Sequence, residues 1–137
     1  IQQREPVLRV LTGEGYYVDR DGRVMPLSSK FTSRVVVATG DINKKFACEK
    51  LGPFAMKLKN EPFWDAYIEQ LVVRSNEDVV MIPKVGDFRI VLGKVDDCEA
   101  RLEKLMLFLK DGITKKGWNR YKEINLKFDN QVVCVRK

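Results

Sequence analysis

The chain contains no histidine, and its 137 residues include only three cysteines, Cys48, Cys98 and Cys134. Without histidine, the Ser-His and Cys-His arrangements that activate a nucleophile cannot be built, and no P-loop, GxGxxG or GxSxG motif occurs. The cysteines form no CxxC pair and share no ligand spacing, so we predict no metal site and no cofactor. The sequence leaves open whether two of the three cysteines form a disulfide. The sequence therefore predicts a protein that is not an enzyme.

The sequence also lacks any apolar run that approaches the roughly 20 residues of a membrane-spanning helix. No succession of charged, apolar and small residues typical of a signal peptide stands at its start. We therefore expect the chain as given to be soluble. Because it begins with Ile1, just before a stretch that reads as a strand, we also expect it to be an excised portion of a longer protein.

Positive charge is concentrated near the C-terminus. The 25 basic and 19 acidic side chains give a net charge of +6, and residues 110–137, with 8 basic and 3 acidic side chains, hold +5 of it. Such an end can steer an acidic protein, an anionic membrane surface or a nucleic acid, but a solvated basic face fits equally well. Since basic and aromatic residues are not interleaved as in RNA-binding modules, a basic nucleic-acid-binding module is only an alternative.

The pattern of apolar and turn residues predicts one α+β domain. Runs of β-branched and aromatic residues predict strands at residues 7–11, 15–18, 23–27, 34–38, 68–74, 79–82 and 88–92. The second and third of these form a hairpin, because the Asp21-Gly22 pair supplies the positive φ that such a turn requires. Turn chemistry also explains Asp19 and Asp21 better than a catalytic carboxylate pair does.

Two helical regions are predicted. The first begins at Asp41, is broken or kinked where Gly52 and Pro53 interrupt it, and is followed by a short helix after Pro62. The clearest helix covers residues 96–113, and Asp96 or Asp97 can cap its start. Its apolar side chains recur every three or four residues, at Cys98, Leu102, Leu105, Met106, Leu109 and Ile113. Such a stripe is typical of a helix that lies across one face of a sheet.

The C-terminal stretch YKEINLKFDNQVVCVRK reads as two short strands. The first runs through residues 121–128, Asp129 and Asn130 tolerate a turn, and residues 131–135 resume a β-branched run. A strand in this place can easily lie at a sheet edge, where its N–H and C=O groups are open to another polypeptide. The sequence therefore predicts an edge that binds a protein partner.

These segments together resemble the extracytoplasmic β domain of the FtsQ/DivIB family of bacterial cell-division proteins. The resemblance covers nearly the whole chain and is carried by REPVLRV, GYYVDRDGRVMPLS, VVVATG, FRIVLGK, CEARLEKLMLFL and INLKFDNQVVCVRK. Its most specific parts are the hairpin with Tyr17, Asp19 and Gly22, the strand end at Leu92 and Gly93, and the final stretch. The doubled tyrosine and the MPLS run are most similar to Bacteroides-type members.

The resemblance implies an α+β fold: a curved, mixed, largely antiparallel β-sheet with helices packed on one face. Residues 1–14 would be the end of a preceding POTRA domain and a junction, and residues 15–137 the β domain. It also implies a non-enzymatic scaffold of the divisome, anchored through a membrane-spanning segment absent from this chain. The location would be the periplasmic side of the inner membrane at the division septum.

The partners that the resemblance implies are FtsB/DivIC and FtsL, with other divisome proteins, and the implied role includes control of septal peptidoglycan synthesis. No nucleic acid is expected among these partners. A POTRA-type chaperone or transport-associated binding domain is the alternative at the level of the fold. That alternative would bind unfolded outer-membrane strands and not a division coiled coil.

Carried over onto this sequence, the family's partner-binding run consists of Lys127, Phe128, Asp129, Asn130, Gln131 and Val132. Backbone groups there would form ladder hydrogen bonds, Phe128 would be an apolar anchor, and Lys127 would face an acidic partner segment. By strand alternation alone, Phe128 fits a core aromatic residue equally well. The chain has Phe where the best-known members have Tyr, and QVVCVRK where others have small residues with Trp, so its contacts can differ from theirs.

Overall fold

The structure, a computed structural model, describes residues 6–13, 15–26, 35–84, 88–96, 98–110, 121–127 and 133–136. Its strands are β1 (Pro6–Val10), β2 (Tyr16–Asp19), β3 (Val24–Pro26), β4 (Val36–Gly40), β5 (Ile68–Val73), β6 (Val79–Pro83), β7 (Arg89–Gly93), β8 (Tyr121–Asn125) and β9 (Val133–Arg136). Its helices are α1 (Lys44–Phe46), α2 (Gly52–Asn60), α3 (Pro62–Tyr67) and α4 (Glu99–Phe108), with a π-helical turn at Ala47–Leu51 between α1 and α2.

The described strands form one sheet in the order β3-β2-β1-β4-β5-β6-β7-β8-β9. Hairpin-type antiparallel pairing joins β1 to β2, β2 to β3, β5 to β6, β6 to β7 and β8 to β9. Parallel pairing joins β1 to β4, β4 to β5 and β7 to β8. The predicted α+β class, with a mixed and largely antiparallel sheet, is confirmed.

The helices occupy the two parallel connections that follow β4 and β7. Both connections move the chain in the same direction along the sheet, and β4 and β7 point the same way, so right-handed crossovers place both helical layers on one face. Ion pairs join the layers: Lys50 Nζ lies 2.7 Å from Asp96 Oδ1, and Lys57 pairs with Glu99. The described helices therefore pack side by side on one face of the sheet.

The core lies between this face and the helices. Side chains on a strand alternate between the two faces, and register brings one fully buried residue from each central strand into a row on the helix side. The row consists of Val10, Ala38, Leu71, Met81, Ile90 and Ile124. Phe54, Leu58, Leu102 and Leu105 cover it from the helices. Each large apolar side chain buried in this way contributes about 1.5–3 kcal/mol to stability.

The start of the first helix differs from the prediction. Asn43 is its cap, because Asn43 Oδ1 accepts a hydrogen bond from the N–H of Phe46 at 2.7 Å. Asp41 instead continues the sheet, since its N–H donates to the carbonyl of Val73 at 2.9 Å. The predicted break takes the form of the π-helical turn that ends at Leu51, directly before α2. The first turn of α2 contains a proline, which is tolerated there because the N–H groups of a first turn have no partner within the helix.

Helix α4 begins later than predicted, at Glu99, and Cys98 is its cap residue without a side-chain capping bond. The Asp96 side chain instead accepts a hydrogen bond from Lys50, and the backbone carbonyl of Asp96 accepts one from Arg101 at 2.8 Å. These contacts hold Asp96 outside the helix, and the other predicted cap, Asp97, lies outside the described residues. The apolar stripe itself is confirmed, because four of its members are buried: Cys98, Leu102, Leu105 and Leu109. Its predicted end at Ile113 lies outside the described residues.

Candidate protein-docking edge

Strand β9 is one edge of the sheet. It pairs antiparallel with β8, with Val133 opposite Asn125 and Val135 opposite Glu123, and no strand among the described residues lies on its other side. The row of peptide groups along the outer side of an edge strand is a template onto which another chain can add a strand. Among the described residues, the candidate site therefore consists of β9 and the end of β8.

The opposite edge, β3, is built differently. It has only three residues and ends at Pro26, which has no N–H to donate to a further strand. Short edge strands and edge prolines are common protections against unwanted strand pairing. Val24 on this edge is 38% exposed. The two edges of the described sheet thus differ in their capacity to accept another strand.

Of the partner-binding residues predicted from the sequence, the structure describes Lys127. It follows β8 by two residues, and its N–H donates to Asn125 Oδ1 at 2.9 Å. Its ammonium donates to Asp78 Oδ2 at 2.6 Å, so Lys127 is ion-paired within the protein. The other predicted residues lie outside the described part of the chain, and their roles stay predictions: Phe128, Asp129, Asn130, Gln131 and Val132.

Asp78, the partner of Lys127, is a buried carboxylate in the turn between β5 and β6. Its side chain is 3% exposed and also accepts a hydrogen bond from Asn76 Nδ2 at 3.0 Å, and Lys94 Nζ lies 3.5 Å from its Oδ1. Burial alone would raise the pKa of this carboxyl group, but the hydrogen bonds and charges of Lys127, Asn76 and Lys94 outweigh burial and hold the pKa below its ordinary value. Asp78 is therefore ionised and fully paired at neutral pH.

Sequence reasoning missed this buried carboxylate, because it treated residues 75–78 as a polar turn. The one available signal was that Lys94 follows the predicted strand at residues 88–92 and Lys127 lies near the end of the one predicted at residues 121–128, which in the structure ends at Asn125. Periodicity does not say which strand ends are neighbours. The pairing of β6 with β7 and of β7 with β8 was needed to bring Asp78 near both lysines.

The absence of a side chain at Gly93 leaves room for the Lys127 side chain to reach Asp78. Gly93 has φ +89°, a region that favours glycine, and a Cβ at this position would lie 3.0 Å from Lys127 Cγ. The same Cβ would lie 3.3 Å from Nη1 of Arg101. The Arg101 guanidinium donates through Nη1 to the carbonyl of Leu92 and through Nη2 to the carbonyl of Lys94. The ends of β7 and β8 and the first turns of α4 are therefore tied together beside the candidate edge.

The outer side of α4 carries exposed apolar surface. Leu107 is 60% exposed, which is the highest value among the large hydrophobic side chains that the structure describes as exposed. Phe108 lies on a different side of α4 from Leu107, because consecutive residues of a helix are about 100° apart. Phe108 is partly buried against the core and follows Arg101 by two helical turns, so Phe108 and Arg101 project from the same side of α4. Since Arg101 reaches the end of β7, this side of the helix faces the strands that lead to β9.

Several chemical features are absent from the residues that the structure describes. The described residues contain no cluster of three or more possible metal ligands and no helix that is long and apolar enough to cross a bilayer. No disulfide links the cysteines. Cys98 is fully buried at the start of α4, where burial raises the pKa of its thiol, as suits a small core residue.

One edge of the described sheet, β3, is short and ends in proline, and no described strand covers the other edge, β9. An uncovered edge of this kind is a surface to which another chain can add a strand. The fold and the candidate site thus fit the class of protein-binding domains. Residues 5–135 match the sequence model of the family "FtsQ/DivIB, C-terminal related", so the chain belongs to the FtsQ/DivIB-related family. That family is one of non-enzymatic division scaffolds, and membership indicates a role in cell division. None of the curated proteins matches the chain.

Proposed function

We propose that this protein is a docking scaffold of the bacterial divisome that binds FtsB/DivIC and FtsL through strand addition at β9. One observation carries the proposal: β9 ends the strand order of the sheet, with β8 as its neighbour on one side. Backbone hydrogen bonds would supply much of the affinity of such an interaction, and side chains at alternate positions its specificity. Through this complex, the protein would help to control septal peptidoglycan synthesis.

The docking edge in this proposal consists of β9 and residues 127–132. Phe108 supports its extent, because it is an apolar side chain on the side of α4 that faces these strands. An added strand could therefore contact Phe108 while its backbone pairs with β9. The blunted edge at β3 supports the choice of β9 over the other side of the sheet.

We also propose that residues 1–14 carry the end of a preceding POTRA domain and that residues 15–137 form the β domain. Strand β1 is hydrogen-bonded on one side to β2 and on the other to β4, and Leu8 and Val10 in it are fully buried. In this proposal, the two domains would share a continuous sheet. The domain would lie on the periplasmic side of the inner membrane at the septum, held there by a membrane anchor.

The test measures binding of the FtsB/DivIC ectodomain to the full chain by titration calorimetry. Phe128→Glu places a charge in the docking edge, and Gln131→Pro removes a backbone donor from it. Each should weaken binding at least about tenfold, equivalent to about 1.4 kcal/mol. Val24→Glu is the matched control, since it adds the same charge at the opposite edge and should leave affinity unchanged. Circular dichroism checks that each variant folds. Unchanged affinity in folded Phe128→Glu and Gln131→Pro would exclude this edge as the docking site.

A further inference from the structure

Asp78 joins the ends of three adjacent strands. It directly precedes β6, while Lys94 follows β7 and Lys127 lies just beyond β8. Its carboxylate binds both ammonium groups, at 3.5 Å for Lys94 and 2.6 Å for Lys127. A buried charge is tolerated only when it is paired in this way, so the three strand ends are held at fixed positions relative to one another.

The contact with Lys127 is the most constrained of these. The lysine stem passes over Gly93, where there is no side chain to block it, and the residue's own N–H is fixed by the Asn125 side chain. Lys127 is therefore held at both its backbone and its ammonium group. It also lies two residues beyond the end of β8, the strand with which β9 pairs.

We infer that Asp78 is a positioning residue for partner docking: through Lys127 it fixes the end of β8, and thereby the position of the edge strand β9 that pairs with β8. The inference rests on the proposed function of that edge. Asp78 itself is 2% exposed and offers almost no surface to a partner. Any effect of Asp78 on binding must therefore pass through the groups that it holds.

A different role for Lys127 predicts the opposite result. If Lys127 binds an acidic partner segment directly, Asp78 competes with the partner for the same ammonium group. Neutralising Asp78 would then release Lys127 and strengthen binding. If Asp78 acts by positioning, the same change loosens the edge and weakens binding. The sign of the effect separates the two roles.

The experiment uses Asp78→Asn, which keeps the shape of the side chain and removes its charge. We expect binding of the FtsB/DivIC ectodomain to the full chain to weaken about tenfold, in line with the couplings seen within one ion-pair network. In the partner-free protein, amide hydrogen exchange should accelerate in residues 121–127 and 133–136 and stay unchanged in β4 and β5. The exchange pattern shows a local change that a general loss of stability would not produce.

Two variants serve as matched controls. Asp96→Asn breaks the exposed ion pair with Lys50 at a similar distance, 2.7 Å, and should change neither affinity nor exchange at the edge. Val10→Ala removes buried apolar volume in the other half of the sheet, so it lowers stability without touching the contacts of Asp78. A loss of affinity in Val10→Ala as large as in Asp78→Asn would overturn the positioning role.

Unchanged or tighter binding by Asp78→Asn would also overturn the inference. If Asp78→Asn does not fold, Lys127→Met tests the same link from its exposed partner and should give the same local acceleration of exchange. Failure of the proposed function is distinguishable from failure of this inference. In the first case Phe128→Glu and Gln131→Pro leave affinity unchanged, whereas in the second they weaken it and Asp78→Asn does not.

Discussion

Gly40, the last residue of β4, should tolerate no side chain. It has φ +108°, and a Cβ built on it would lie 2.9 Å from the nitrogen of Val73, 3.1 Å from its carbonyl carbon and closer still to its carbonyl oxygen. These atoms belong to the backbone of β5, the strand that is paired with β4 at this point. The space for a methyl group is thus already filled by a neighbouring strand that cannot rotate away.

Three costs add up in Gly40→Ala. The positive φ costs about 1–2 kcal/mol for a residue with a Cβ. Displacing the Val73 carbonyl breaks its hydrogen bond from the N–H of Asp41, at 2.9 Å, which costs about 1 kcal/mol. Forcing a methyl group into a packed position costs about 1–3 kcal/mol more. The total of about 3–6 kcal/mol is a large part of the 5–15 kcal/mol that stabilises a typical domain, by the usual rough range.

Gly13→Ala is the matched control, because Gly13 also has positive φ, at +69°, but nothing lies within 4 Å of its built Cβ. It should therefore lose only the conformational cost of about 1–2 kcal/mol. Urea unfolding followed by circular dichroism gives the free energy of unfolding of both variants. A difference of less than about 1 kcal/mol between them would refute the steric part of the reasoning, since the φ of +108° costs Gly40→Ala at least as much as the φ of +69° costs Gly13→Ala.

Two further predictions concern titrating side chains. The Tyr67 hydroxyl is buried with no hydrogen-bond partner among the described residues, and burial raises its pKa to about 12, so the stability of the folded state falls as pH rises from about 10 through that value. Tyr67→Phe should keep the stability of the folded state or raise it by about 1 kcal/mol, and it should remove the phenolate absorbance that appears near pH 12. A clear loss of stability would show that the hydroxyl has a partner. The pKa of Asp78 is lowered, so its contribution is complete above about pH 4 and is lost as pH falls through the folded-state pKa. Asp78→Asn should therefore show a flatter decline of stability in acid, and an identical decline in both proteins would contradict this.

Local chemistry made the first hairpin predictable. Asp19 Oδ1 accepts hydrogen bonds from the N–H groups of Asp21 and Arg23, and Gly22 takes φ +78°, so the turn depends on residues close together in the chain. The stripe of α4 was predictable for a similar reason, because its period is fixed by helix geometry and not by the partner elements. Signals of this kind lie within a few residues and can be read directly.

Strand order could not be read in the same way. The insertion of β1 between β2 and β4 depends on pairing between segments that periodicity treats as independent. Likewise, Lys127 and Asp78 are 49 positions apart, and each has an ordinary local role as a strand-end lysine or a turn aspartate. Asn43 and Asp41 are equally good caps by type, and the contact of Asp41 with β5 decides between them. Strand order, the ion pair and the choice of cap all depend on contacts between residues that are distant in the sequence.

The C-terminal half of the sheet offers two ways to bind a partner, through the charge of its cations and through the backbone of β9. Lys127 and Lys94 both contact Asp78, whose single negative charge offsets one of the two lysine charges. Arg101 donates to carbonyl groups of its own chain, and Lys110 lies over the ring of Phe63, 5.5 Å from its centre. Neither contact neutralises the cation, because a carbonyl group and an aromatic ring carry no net charge. Charge would therefore act together with strand pairing at β9: the first on the rate of encounter, the second on the specificity of the complex.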